Sequence, residues 1–140
     1  DVYKRQDLKS HRYYYVCRRD GQWTQTPICD SSHQWNSCHL SCDTNGILHA
    51  YVVAGEDYLE GGYMDRHGGG RIEEWVSRDE GKTWNKQREL SPGQKQFTGW
   101  RFNNVQPVVR PGGSEVDGML LFYGWKDTEI PRVRAFLLHE

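Results

Sequence analysis

The chain repeats itself, and the repeat unit is built of strands. Trp35-Asn36-Ser37-Cys38-His39-Leu40-Ser41 runs into a turn and then into Ile47-Leu48-His49-Ala50-Tyr51-Val52-Val53. About 67 residues further on, Phe102-Asn103-Asn104-Val105-Gln106-Pro107-Val108 runs into a turn and then into Met119-Leu120-Leu121-Phe122-Tyr123. Each unit is an aromatic residue, an Asn, a strand, a hairpin and a second apolar strand. A second series pairs Tyr14-Tyr15-Val16-Cys17-Arg18-Arg19-Asp20-Gly21-Gln22-Trp23 with Glu74-Trp75-Val76-Ser77-Arg78-Asp79-Glu80-Gly81-Lys82-Thr83-Trp84. Ala135-Phe136-Leu137-Leu138 stands where a third copy begins.

The pattern predicts strands over 13–17, 37–42, 48–54, 72–77, 105–110, 119–124 and 133–138, with weaker ones over 23–28 and 84–90. No window sustains the i, i+3, i+4, i+7 spacing of a helix. The expected class is therefore all-β. Four-stranded antiparallel units repeated in line, with strands a to d, are the sequence sign of a β-propeller. The expectation is a partial β-propeller truncated at both ends. Its outer strands lie over 11–30, one full blade over about 35–90, and the start of the next over about 101–140.

Composition narrows the class. The chain has 140 residues and a mass of 16.4 kDa, the size of one domain. The formal net charge of −1 excludes a polybasic nucleic-acid arm and an acidic tail. A mean hydropathy of −0.89 points toward disorder, but an aromatic fraction of 13% argues for a folded core. The longest apolar run, 119–123, is strand-sized, so no membrane span is expected. The chain opens at Asp1 and ends just after the apolar Ala135-Phe136-Leu137-Leu138. It is read as a piece of a longer protein, with residues 1–10 as a ragged end without structural weight.

The four cysteines are Cys17, Cys29, Cys38 and Cys42. They allow three disulfide pairings. Cys38, Cys42 and the nearby His33, His39 and His49 suggest a metal cluster, but on a strand His39 points away from both cysteines. No metal is expected, and small buried core residues are the better reading of the cysteines.

One motif is complete. Ser77-Arg78-Asp79-Glu80-Gly81-Lys82-Thr83-Trp84 fits Ser-x-Asp-x-Gly-x-x-Trp at every fixed position. Asp79 is expected to accept backbone N–H bonds two residues on, Gly81 to supply positive φ, and Trp84 to bury its ring over the turn. Cys17 to Trp23 is a degraded copy, one residue shorter. The motif resembles the Asp-box, or bacterial neuraminidase repeat, of sialidase-like β-propellers. With the strand repeat, the resemblance covers roughly residues 11–140. It implies that Ser77, Asp79, Gly81 and Trp84 are structural and lie away from the active site.

The longer connections, over 29–33, 55–71 and 91–102, fall at one end of such blades, where binding sites sit. That end carries the candidates. His33 is the proton donor or acceptor, Tyr63 the nucleophile or base, and Arg71 a carboxylate clamp together with Arg66 and Arg101. Asn36 and Asn104 are candidate binding amides. Trp35, Trp100 and Trp125 are candidate platforms for sugar rings. Each has a plainer reading: His33 bonded to a loop carbonyl, Tyr63 packing, the arginines paired with Asp65 and Glu73, Asn36 capping the start of its strand, the tryptophans in the core. His39 and His49 read as satisfied core histidines. Gly68-Gly69-Gly70 lacks the ending of a phosphate loop and is expected to let the chain pass close to a ligand or a neighbouring blade.

The resemblance implies a carbohydrate-active enzyme acting on an oligo- or polysaccharide of acidic character. It requires no cofactor and no nucleic acid, and it implies a secreted or periplasmic location. Sialidases hold the substrate carboxylate with three arginines and use a Tyr/Glu pair and an Asp. Related propeller lyases neutralise a uronate carboxylate and abstract the adjacent C–H proton with His or Tyr. The chain has no Arg-Ile-Pro-like motif and no Tyr/Glu pair that can be placed, so His33, Asn36, Tyr63 and Arg71 suit the lyase chemistry slightly better. A non-catalytic glycan- or protein-binding propeller is the alternative.

Overall fold

The computed structural model describes residues 11–31, 36–54, 69–91, 99–126 and 133–139. Among these residues there are nine strands and no helix. They are β1 (His11–Arg19), β2 (Gln22–Ser31), β3 (Cys38–Cys42), β4 (Leu48–Ala54), β5 (Arg71–Ser77), β6 (Asn85–Glu89), β7 (Arg101–Val109), β8 (Glu115–Trp125) and β9 (Val133–His139). Every pairing is antiparallel. β1 pairs with β2, the second sheet runs β3-β4-β5-β6, and the third runs β7-β8-β9.

All nine expected strands form, and the departures are at their ends. β8 starts at Glu115, four residues before its apolar stretch, because Val109 pairs with Glu115 across a short turn. In that turn Arg110 N donates to Ser114 O at 2.8 Å and Gly113 N to Arg110 O at 3.0 Å. The ladder thus carries polar residues past the point where the core ends. Trp84 precedes β6 instead of lying in it. The β3–β4 turn is held by Asp43, whose Oδ1 accepts from Asn45 N at 2.9 Å and Ile47 N at 2.8 Å. These two bonds hold the Asp43 carboxyl below its ordinary value, that from Ile47 contributing most.

The core lies in two layers on either side of the β3–β6 sheet. Successive residues of β4 point to opposite faces. Ala50 and Val52 meet Tyr13, Tyr15, Ile28 and Cys29 of the β1–β2 sheet, with Trp84 completing the cluster. Val53 and Ile72 face the other way and pack with Trp100, Phe102, Val105, Leu120 and Phe122. Phe102 and Phe122 meet edge to face at 4.9 Å and 87°, and Phe136 closes on both. Tyr13 ties the layers through its hydroxyl, which lies 3.2 Å from Ser37 O and 3.3 Å from Val53 O.

The expectation of four buried cysteines is corrected here. Cys38 and Cys42 are exposed and Cys17 and Cys29 half-buried, and all four are free thiols. β3 is the edge strand of its sheet, and Cys38, Leu40 and Cys42 alternate along it as its exposed side chains. Cys29 does pack against a core cluster. Burial, with the charges of Glu73 and Asp30, pushes its thiol up to about 12.

Phe122 is fully buried at the centre of the larger layer. Phe122→Ala is expected to cost about 3–5 kcal/mol in urea unfolding. Leu137→Ala, on the exposed side of β9, is expected to cost less than about 1 kcal/mol.

Candidate functional site

The Asp-box turn between β5 and β6 is the best-defined local structure. Asp79 Oδ1 accepts from the Ser77 hydroxyl at 2.8 Å and Thr83 N at 2.9 Å, and its Oδ2 accepts from the Thr83 hydroxyl at 2.7 Å. Ser77 Oγ in turn accepts from Gly81 N at 2.8 Å. The carboxylate therefore reaches the N–H four residues on, not two as the sequence suggested, and closes a wider loop. Thr83, through its hydroxyl and then its N–H, together with the Ser77 hydroxyl, holds the Asp79 carboxyl down at about 2. Every one of these bonds is internal to the turn, which fits a structural role for Ser77, Asp79, Gly81 and Trp84.

The same turn is an inter-sheet contact. Gly81 has φ +85°, and a Cβ there would sit 2.2 Å from the Tyr15 ring. Tyr15 also packs on Trp84 at 5.6 Å, and Arg19 of β1 binds Glu80 through its carboxylate at 2.7 Å and its carbonyl at 2.5 Å. The degraded copy between β1 and β2 keeps the backbone shape. Asp20 and Gly21 have φ of 50° and 80°, against 62° and 85° at Glu80 and Gly81.

At the opposite end of the sheets, the structure brings several candidates together. Gly70 and Phe102 form an antiparallel bridge, with N–H···O bonds of 2.8 and 2.9 Å between their backbones. Arg71 follows Gly70 and Arg101 precedes Phe102, so the two arginines leave this bridge on the same side. Gly69 makes the approach possible. Its φ is +138°, and a Cβ would lie 2.5 Å from Phe102 O. The glycine run thus brings the chain against a neighbouring sheet, as expected. Ser37 stitches β3 to β7. Its N–H donates to Asn103 O at 3.1 Å, and its Oγ accepts from Val105 N at 2.8 Å. Asn36 and Asn104 therefore stand close to that seam. Asn36 Nδ2 donates to Ser31 Oγ at 3.2 Å and Asn104 Nδ2 to Asn103 Oδ1 at 3.0 Å.

The charges at this end are partly matched. Arg71 lies 3.5 Å from Glu73 Oε1 and 3.4 Å from Glu89 Oε1, the pairing that the plainer reading anticipated for Glu73. Lys86 joins the network, 2.7 Å from Glu73 and in contact with Glu89. The hydrogen bond from Lys86 holds the Glu89 carboxyl below its ordinary value. Arg101 instead lies over the Trp125 ring at 5.5 Å and has no carboxylate partner among the described residues. Trp100 is 8% exposed, with Phe136 edge-on at 5.1 Å and Arg134 over its ring. It is a core residue and not a platform for a sugar, because no face of the ring is left open. His33, Trp35, Tyr63 and Arg66 lie outside the described residues.

The structure also assembles a group that the sequence reading did not. His49 Nδ1 is 2.8 Å from Glu74 Oε1, and its Nε2 is 3.7 Å from Asp43 Oδ2. Burial pushes the Glu74 carboxyl up, but its bonds to His49 and to Arg88 Nε, at 2.5 Å, outweigh that and hold it below its ordinary value. His39 stacks on Tyr51 at 6.0 Å and 7°. His49 is thus a satisfied histidine. His39 Nε2 lies 3.4 Å from Glu115 Oε2, so it too has a partner. The alternation of β3 and β4 puts both imidazoles on one face, but the carboxylate opposite His39 comes from Glu115, far away in sequence.

Comparison with protein-family models, with curated proteins and with solved structures gave no match in any of the three.

Gly81→Ala is expected to destabilise the chain by about 1–2 kcal/mol, from the left-handed backbone alone, with the Tyr15 clash added. Asp79→Asn should lower the melting temperature at neutral pH. Because the folded carboxyl titrates at about 2, below its ordinary value near ~3.9, its contribution is complete above that value. It is lost as pH falls toward the folded value. The gap in melting temperature between wild type and Asp79→Asn should therefore stay constant above pH ~5 and close toward pH ~2.

Proposed function

We propose that this chain contributes consecutive four-stranded blades to a sialidase-like β-propeller, and that the propeller binds and cleaves an acidic glycan. Three features support the architecture. The β3–β6 sheet has four antiparallel strands, the complete Asp-box closes its last hairpin, and the same turn shape recurs between β1 and β2. A secreted or periplasmic location is part of this reading, because polymeric glycans are met outside the cytoplasm.

The observation that carries the functional part is the placement of Arg71 and Arg101 on one side of the Gly70–Phe102 bridge, beside the Asn36–Asn104 seam. A guanidinium pair suits a planar carboxylate, which it can hold by parallel N–H···O bonds. Arg101, stacked on Trp125 and without a carboxylate partner among the described residues, is the first contact. Arg71 joins by exchanging Glu73 or Glu89 for the substrate carboxylate. Asn36 and Asn104 offer amides to sugar hydroxyls, with Trp35 and Arg66 completing the binding face. His33 or Tyr63 supplies the proton transfer. With a uronate, neutralising the carboxylate acidifies the adjacent C–H, and the base removes that proton as the glycosidic oxygen leaves. With a sialoside, the same clamp orients the sugar for hydrolysis.

The test is to incubate the protein with sialylated oligosaccharides and, separately, with uronate polymers. Released sialic acid reports hydrolysis, and ultraviolet absorbance of an unsaturated uronate reports elimination. Turnover of one acidic substrate is expected, with kcat/KM reduced about 10- to 100-fold in Arg101→Ala, the worth of a charge-assisted bond. Saturable binding without turnover would favour the non-catalytic glycan-binding alternative, and neither binding nor turnover would overturn both.

A further inference from the structure

Two of the four free thiols stand on facing sheets around one tyrosine. Cys29 lies directly opposite Tyr13 in the β1–β2 pair, and Cys38 directly opposite Val52 in the β3–β4 pair. Directly opposed residues of an antiparallel pair point to the same face. Val52, Tyr13 and Cys29 all pack in the cluster between the first two sheets. Cys38 therefore faces that same layer, from its open edge. Tyr13 spans the gap between the two cysteines. Its ring starts beside Cys29, and its hydroxyl lies 3.2 Å from the carbonyl of Ser37, the residue bonded to Cys38. The electrostatics agree with this placement. Burial does most to raise the Cys29 thiol, followed by the charges of Glu73 and Asp30 and then by Cys38.

The strand ladders exclude other pairings. A disulfide needs its two Cα atoms within about 7 Å. Cys38 and Cys42 share one side of β3 but stand about 13 Å apart along it. Cys17 is opposite Thr24, so it is about 16 Å along the ladder from Cys29. Cys38 opens an edge strand with one neighbour only, so β3 can draw in toward β2.

We propose that Cys29 and Cys38 form a disulfide under oxidising conditions, stapling β2 to β3. The bond sits where three sheets meet, because Ser37, next to Cys38, also holds Asn103 and Val105 of β7. The step is thiol–disulfide exchange with a small disulfide such as oxidised glutathione. The exposed Cys38 loses its proton and attacks one glutathione sulfur, and the other leaves as a thiolate. Cys29 then loses its proton and attacks the Cys38 sulfur, releasing the second glutathione thiolate. The two leaving thiolates take up the two protons, and glutathione is reduced by the two electrons the cysteines give. Such a bond persists in a secreted or periplasmic protein and opens in a reducing compartment.

The test is to incubate the folded chain with oxidised glutathione at pH about 9, where more of the Cys29 thiol is ionised. Remaining thiols are then counted in denaturant, and the chain is digested with chymotrypsin without reduction. Cuts after Trp35 and Leu40 put Cys29, Cys38 and Cys42 on separate peptides, which mass spectrometry identifies. The expected result is loss of two of the four thiols and a cross-linked peptide pair holding Cys29 and Cys38. Cys42→Ser should keep that link, and Cys29→Ser and Cys38→Ser should each lose it. The oxidised wild type should melt about 5 °C or more above the reduced form, and the gap should vanish in Cys38→Ser. Four thiols left after oxidation, glutathione retained on Cys38, or a link from Cys38 to Cys17, to Cys42 or to a second chain would overturn the proposal.

Discussion

Burial of β4 on both faces is the constraint on which the rest depends. A strand in an antiparallel sheet usually keeps one face in water. In β4 both faces are packed: Ala50 and Val52 toward the β1–β2 sheet, Tyr51 and Val53 toward β7–β9. The β3–β6 sheet must therefore be a middle layer, and the other sheets take their places by covering it. Fully burying a Val or Phe is worth about 1.5–3 kcal/mol, so a layer on each face is strongly favoured over either alone. Two clusters of this kind, and not one large core, hold the described residues together.

The Asp-box gives the middle layer a rigid corner. Its carboxylate and hydroxyl network is closed within the turn, so the Glu80–Gly81 tip is presented in one shape. That tip then serves as a contact surface for Tyr15 and Arg19 of the next sheet. A motif that satisfies itself is free to be used as a spacer. The Gly69–Gly70 segment does the equivalent at the other end, where bare backbone approaches Phe102. Beyond the apolar packing on each face, the middle sheet is thus pinned to β1–β2 by side-chain contacts at the Asp-box tip and to β7 by backbone pairing at Gly70.

Polar groups gather at both ends of the sheets. Arg71, Arg101 and the amides stand where β5 and β7 begin, with Glu73 and Glu89 paired to Arg71, while Asp43, Glu115, His39 and His49 stand at the hairpin end.

Strand order, hairpin positions and the turn motif were legible in the sequence because each depends on residues close together along the chain. Period-two alternation in 48–54, the Ser-x-Asp-x-Gly-x-x-Trp spacing and the recurrence of aromatic-Asn strands are local signals, and each predicted strand formed. The fate of single side chains was not local. Trp100 reads equally well as a platform or as core, and only the approach of Phe136 and Arg134 made it core. Cys38 and Cys42 read as buried, yet β3 lies at a sheet edge and both thiols are exposed. The placing of Arg71 near Arg101 by the Gly70–Phe102 bridge, and the pairing of His39 with Glu115, join residues from different sheets. No spacing along one strand encodes such pairs, because the register between sheets is set by how their apolar faces interlock. The sequence by itself determined which segments are strands and how each hairpin turns; the packing of three sheets decided which side chains meet.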